Sequence, residues 1–145
     1  MIRIEQDAWR KMVAHAQVTY PNECCGAMLG TIDGDAKTVK VSIELDNAFE
    51  GVQQERYELR PRDLMNADRA ARQQGMDLIG IFHSHPDCDA YFSATDLKNS
   101  FPWYSFVVIS VKNGKFDHAN SFLPNAEQTT ANEEEMEHPA VSPAA

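Results

Sequence analysis

The stretch "MDLIGIFHSHP", residues 76–86, constrains this chain more than any other. A mostly apolar run of this length reads as a strand that must be buried. Its end turns polar, and Pro86 stops it. Side chains alternate between the faces of a strand, so His83 and His85 project together and Ser84 projects the other way. Two imidazoles a few ångströms apart on a rigid, buried platform can chelate a divalent cation. An H-x-H pair alone is a weak signal, and two polar residues at a strand end are the plain alternative.

Asp96 shifts that balance. It stands past a loop that can fold back, at the start of a helix read from "SATDLKNS", where its carboxylate can reach the two histidines. Two His and one Asp suit Zn²⁺ in a site whose fourth tetrahedral position is left for water. Such an ion lowers the pKa of water toward ~7. Hydrolysis also needs a general base beside that water. Glu23, in "YPNECCG" at the edge of an apolar strand, is the candidate. Read alone, it is equally a solvated residue between a helix and a strand. Ser93 fits a helix N-cap with an acid three residues on, or a hydroxyl donor to a tetrahedral oxyanion. Asp96 also suits a helix N-terminus with no metal present.

Around these residues the pattern is that of a mixed α/β domain. "QDAWRKMVAHAQVTYP" reads as a helix ending before Pro21, with Ala8, Trp9, Met12, Val13 and Ala16 on one apolar face. "CCGAMLGTI" and "TVKVSIEL" read as a hairpin across "DGDAK", and "RYELRP" as another short strand. "RDLMNADRAARQQG" reads as a second helix, with Leu64, Ala67 and Ala71 inward and Gly75 as its stop. "YSFVVISV" and "KFDHANSFL" flank Asn113-Gly114, the strongest short hairpin signal. The sheet expected is mixed, mostly antiparallel, with helices packed on it. Residues 1–123 make the domain, and 124–145 read as an acidic, disordered tail.

At 145 residues the chain makes one domain. The net charge is −9, and setting aside Glu127, Glu133, Glu134, Glu135 and Glu137 leaves −4 for the body. No basic stripe of the kind nucleic-acid binding requires is expected, although individual basic pockets, for example around Arg60 and Arg62, are compatible with this balance. Three cysteines, two of them adjacent, make a poor disulfide framework and suit a reducing compartment. Cys24 and Cys25 read as small buried hydrophobes facing opposite ways. Trp103 and Tyr104 read as core or strand-edge aromatics, and His15, His118 and His138 as surface or packing residues. The start carries no apolar signal-peptide region, and no run approaches the ~18 apolar residues of a membrane span. Cytoplasmic residence is the expectation.

Glu23, then His83-Ser84-His85-Pro86, then Ser93 and Asp96 resemble the JAMM (MPN+) metalloprotease motif, an upstream Glu followed by H-[ST]-H-P-x(6)-S-x(2)-D. "YPNECCGAMLG" and "YSFVVISV" are similar to its compact, stand-alone bacterial branch. The resemblance implies the MPN (cytidine-deaminase-like) fold, a mixed sheet between helices. It implies one Zn²⁺ per chain held by His83, His85 and Asp96, with Glu23 as base and proton carrier and Ser93 as oxyanion donor. It implies hydrolysis of an amide or isopeptide bond at the C-terminal Gly-Gly of a ubiquitin-like sulfur-carrier protein. The alternative is a non-catalytic MPN-type interaction module with a structural metal, closed for instance by Cys88. A zinc deaminase is set aside, because its H-x-E with P-C-x-x-C is absent from the chain.

Overall fold

The structure is a computed structural model that describes residues 1–140. Its strands are β1 (Ile2–Ile4), β2 (Cys25–Asp33), β3 (Ala36–Leu45), β4 (Asp77–Pro86), β5 (Ser105–Lys112), β6 (Lys115–Pro124), β7 (Ala131–Glu134) and β8 (Met136–Glu137). Its helices are α1 (Gln6–Thr19), α2 (Pro61–Gln73) and α3 (Ala94–Lys98). All eight strands form one sheet in the order β7-β6-β5-β4-β2-β3-β1-β8. Four of the seven pairings are antiparallel, so the sheet is mixed and mostly antiparallel, as expected.

The two long helices cover opposite faces of the sheet. α1 buries Ala8, Trp9, Met12, Val13 and Ala16, the face its periodicity marks out, against Met28, Val39, Phe82, Val107 and Ile109. α2 presents Leu64, Ala67 and Ala71 to Ala27, Leu29 and Leu78. The alternation along β2 divides these contacts: Met28 points to α1, while Ala27 and Leu29 point to α2.

A bulge in β4 aims the histidines. Met28 pairs with Gly80 but Leu29 pairs with Leu78, so Ile79 is the extra residue. Strict alternation would put Ile79 on the face shared by Ile81, His83 and His85. Instead Ile79 joins the α1 core, and Leu78 and Ile81 both lie on the α2 side. One inserted residue thus sets which half of the strand faces which helix. At the other hairpin, Asn113 and Gly114 both have positive φ, 52° and 79°, the conformation of a tight two-residue turn.

Two expectations are corrected here. "RYELRP" is irregular rather than a strand. Its backbone is satisfied by the Asn47 side chain, which accepts from the Glu58 N–H at 3.1 Å and donates to the Arg56 carbonyl at 3.0 Å. The segment after Leu123 is not structureless either, although residues 141–145 lie outside the described residues. β7 pairs with β6 at one edge of the sheet, and β8 pairs with β1 at the other. Only Glu135 separates β7 from β8, so a single segment supplies the outer strand at both edges. Composition hid this because Glu134, one of the acidic run, is buried, accepting from the Ser121 hydroxyl at 2.9 Å with the Lys37 ammonium at 3.7 Å. Among the described residues no helix is long and apolar enough to cross a membrane.

Gly80 lies where β4 meets β5, and the carbonyl of Ser105 occupies the space a Cβ would take. Backbone on both sides leaves no rotamer to adjust. Gly80→Ala is expected to cost about 3 kcal/mol by overpacking, read as a lowered urea midpoint with an unchanged m-value.

Candidate metal centre

Strand register brings the site together. Cys25 pairs with His83 across β2 and β4. One step further, the Ser84 N–H donates to the Cys24 carbonyl at 3.2 Å, and the Cys24 N–H donates to Ser84 Oγ at 2.8 Å. Continuing the same pairing sets Glu23 opposite His85. Glu23, Cys25, His83 and His85 share one face, while Cys24 and Ser84 point to the α1 side. The loop after β3 caps the end of β2: the Glu23 N–H donates to the Gln53 carbonyl, and Asn47 Nδ2 donates to the Glu23 carbonyl.

Asp96 arrives from the other direction. Ser93 caps α3, its Oγ accepting from the Asp96 N–H at 3.0 Å while its own N–H donates to Asp96 Oδ2 at 3.1 Å. This capping box holds Asp96 Oδ2 at 3.1 Å from both His83 Nε2 and His85 Nε2. The two imidazole nitrogens are themselves 3.2 Å apart. Three donors therefore form a nearly equilateral triangle. Its edges are close to the about 3.3–3.6 Å expected between donors that stand 2.0–2.2 Å from a tetrahedral ion. A carboxylate oxygen of Glu23 completes a buried group of four whose ligand atoms all lie within 4.8 Å of one another.

The surroundings suit a cation. His85 Nδ1 donates to the Asp89 carbonyl at 2.9 Å, which turns the Nε2 lone pair inward as metal-bound histidines require. Tyr57 stacks on His83 at 4.5 Å between ring centroids, and Tyr91 meets His85 edge-on at 4.9 Å. Glu23 Oε1 is buried with no hydrogen-bond partner, an orphan that a bound water or ion would satisfy. Nitrogen and carboxylate donors in this number are a borderline-hard set of the kind Zn²⁺ takes.

Electrostatics separates the two carboxylates. Burial pushes Glu23 up to about 8, with Asp96 adding to the rise and His85 opposing it. Burial also works against ionising Asp96, but His83 and His85 outweigh it and hold that carboxyl well below the usual range. His83 is lowered, mainly by burial. For His85 burial acts downward too, yet its bond to Asp96 wins and the ring is raised.

All five residues named from the sequence lie at this one place, Ser93 through the helix cap. Cys88 is exposed and stands outside the four-residue group. Cys24 and Cys25 are buried thiols on opposite faces, and burial raises Cys24 to about 12, so neither ionises near neutrality. His15, His118 and His138 serve packing and backbone contacts. Trp103, expected in the core or at a strand edge, is 67% exposed. Tyr57 carried no signal in the sequence, because an aromatic in an irregular loop looks the same whether it stacks on a ligand or not.

Comparison with known proteins agrees with this geometry. Residues 5–124 match the Prok-JAB family model, described as prokaryotic homologs of the JAB domain. A Haloferax volcanii protein named desampylase is 32% identical over 114 residues, covering 75% of this chain and 80% of that protein. A Pyrococcus furiosus protein of the same name is 27% identical, covering 65% of this chain and 63% of its own length. Among solved structures, a Desulfitobacterium hafniense protein superposes with a TM-score of 0.83 at 32% identity, over 99% of this chain and 97% of that one. A Salinibacter ruber protein gives 0.72 at 32%, over 94% and 91%.

The Glu23 shift has a measurable sign. The folded, metal-free protein keeps this proton up to about pH 8, whereas the ordinary value is 4.5. The native state then binds more protons than the unfolded chain, so Glu23 lowers stability as pH rises between those values. Metal-free Glu23→Gln is expected to melt about 3–5 °C above the parent at pH 9. The difference should vanish below pH 4.5, as read by differential scanning calorimetry.

Proposed function

The chain belongs to the prokaryotic homologs of the JAB domain and is a hydrolase of the JAMM type, and on that premise we propose that it is a zinc enzyme cutting the amide or isopeptide bond that follows the C-terminal Gly-Gly of a ubiquitin-like, sulfur-carrier protein. The observation that carries this reading is the convergence of Glu23 on the His83–His85–Asp96 triangle. Three donors alone would serve a structural ion equally well. A fourth, buried carboxylate with an unbonded oxygen beside them is placed to take a proton from a water held there.

His83, His85 and Asp96 would hold the zinc. Bound there, the ion supplies Lewis-acid polarisation of a carbonyl and acidification of water. Glu23 takes the proton of the attacking water and hands it to the leaving nitrogen as the C–N bond breaks. Ser93 accepts through Oγ in the helix cap, which leaves its O–H free to donate to an oxyanion. The His85 Nδ1–H bond to Asp89 keeps the ring from turning. The name desampylase, borne by two relatives, denotes an enzyme that detaches a modifier and supports a ubiquitin-like substrate. The three unpaired thiols support a reducing compartment, the cytoplasm. The alternative, a non-catalytic module with a structural metal, would need a fourth protein ligand; Cys88 lies outside the cluster, so that place would fall to Glu23, and zinc content of a Glu23 variant separates the two readings.

The deciding assay is incubation of the zinc-loaded protein with Gly-Gly-ended carriers bearing C-terminal extensions, with mass spectrometry to locate the cut. Glu23→Gln is expected to retain one zinc by elemental analysis and lose about 10²–10⁴-fold in kcat. His85→Ala is expected to lose both zinc and activity. Full activity in the Glu23 variant would sink the base assignment.

Ser93→Ala removes a cap and a donor together. It should cost about 1 kcal/mol of stability and about 10²-fold or more in kcat. Ser93→Thr, which retains both groups, should recover most of each in parallel unfolding and turnover measurements.

A further inference from the structure

The outward face of α2 is basic in a protein that is otherwise acidic. Arg62, Met65, Asn66, Arg69, Arg72 and Gln73 are all exposed, and at 3.6 residues per turn they occupy one side of the helix. None carries negative charge. The two acids of α2, Asp63 and Asp68, lie half-buried on its flanks, where they pair with Arg60 and Arg72. Among the described residues Arg62 and Arg69 enter no ion pair. Met65, 63% exposed, sits between them.

Helix stability does not account for this arrangement. A cation in the last turn is favoured by the helix dipole, which covers Arg72, but Arg62 stands in the first turn, where the dipole disfavours it. Methionine is a good helix former, but Lys, Gln or Glu would serve the helix as well without exposing an apolar side chain. The combination of an apolar centre and a charged rim is that of a protein contact. Its position matters: Tyr57, stacked on His83, is followed three residues later by Arg60, the N-cap of α2. α2 therefore begins just after the loop that lays Tyr57 on His83, and the stripe extends along it for about 15 Å, ten residues of helical rise from Arg62 to Arg72.

We propose that this face of α2 docks an acidic surface of the protein substrate, with Arg62 and Arg69 setting its orientation and Met65 packed at the centre. This rests on the reading of the site as one that works on a protein. A chain of net charge −9 repels an acidic partner in general, so a local positive stripe selects where that partner lands. The contact contributes to substrate capture and leaves the chemical step alone.

The test is calorimetric titration of the zinc-loaded protein and its Arg62→Glu/Arg69→Glu variant with two probes. One is an acidic ubiquitin-fold protein ending in Gly-Gly. The other is the same protein with its surface carboxylates changed to amides. The acidic probe is expected to bind the parent at least about tenfold more tightly than the variant, with affinity falling as salt is raised from about 0.05 M to about 0.5 M. The neutralised probe should bind both proteins alike. A short Gly-Gly peptide substrate should show the same kcat/KM with parent and variant. Equal affinity of the acidic probe for parent and variant overturns the proposal, as does its failure to bind the parent. So does a charge reversal that changes only self-association by sedimentation, which would make the face a contact between copies of this chain. Binding needs no cleavage, so these results stand apart from the carrier-cutting assay: failure to cut any carrier counts against the enzymatic reading, while the titration alone decides the docking face.

Discussion

Cys25 pairs with His83 across β2 and β4, and two residues further Glu23 lies opposite His85. Because side chains alternate on a strand, a slip of one residue would send Glu23 to the α1 core and leave the histidines without it. The register is locked beside the site by Ser84, fully buried, whose hydroxyl accepts from the Cys24 N–H. Ser84 thus answers for the middle position of His-Ser-His: a small polar side chain there pins the neighbouring strand. The bulge at Ile79 completes the aim by giving Ile79 to the α1 core and leaving Ile81, His83 and His85 together on the other face.

A buried group of two carboxylates and two imidazoles is costly unless each member finds a partner. Here the partners are unequal. Asp96 has both imidazoles and the Ser93 N–H beside it and stays ionised. Glu23 has an unpartnered oxygen and holds its proton. Two carboxylates a few ångströms apart are thereby pushed toward opposite charge states, as in other sites where environment divides an acid pair.

The scaffold holding these groups is finished by a segment that looks unpromising in sequence. Residues 131–137 pair with β6 through β7 and with β1 through β8, separated only by Glu135. Unpaired sheet edges invite association with other chains, and this segment replaces the edges that β6 and β1 would present with two short strands. Its composition is that of a solvated tail. Its backbone, however, meets two waiting rows of hydrogen-bonding groups, and Glu134 finds Ser121 and Lys37.

The sequence by itself determined the periodic elements and most of the candidate site. The apolar face of α1, the hairpins, and the spacing of His83, His85, Ser93 and Asp96 are local properties of nearby residues, and they survive folding unchanged. Tertiary structure alone decided whether Glu23 belonged to the site, because 60 residues separate it from His83 and only the β2–β4 register joins them. It also decided that Tyr57 stacks on His83, that Trp103 lies outside, and that the acidic run adds a strand at each end of the sheet. Each of these depends on a partner distant in the chain. Pattern reports what a segment can bury, whereas the folded neighbours decide which of its groups find something to bind.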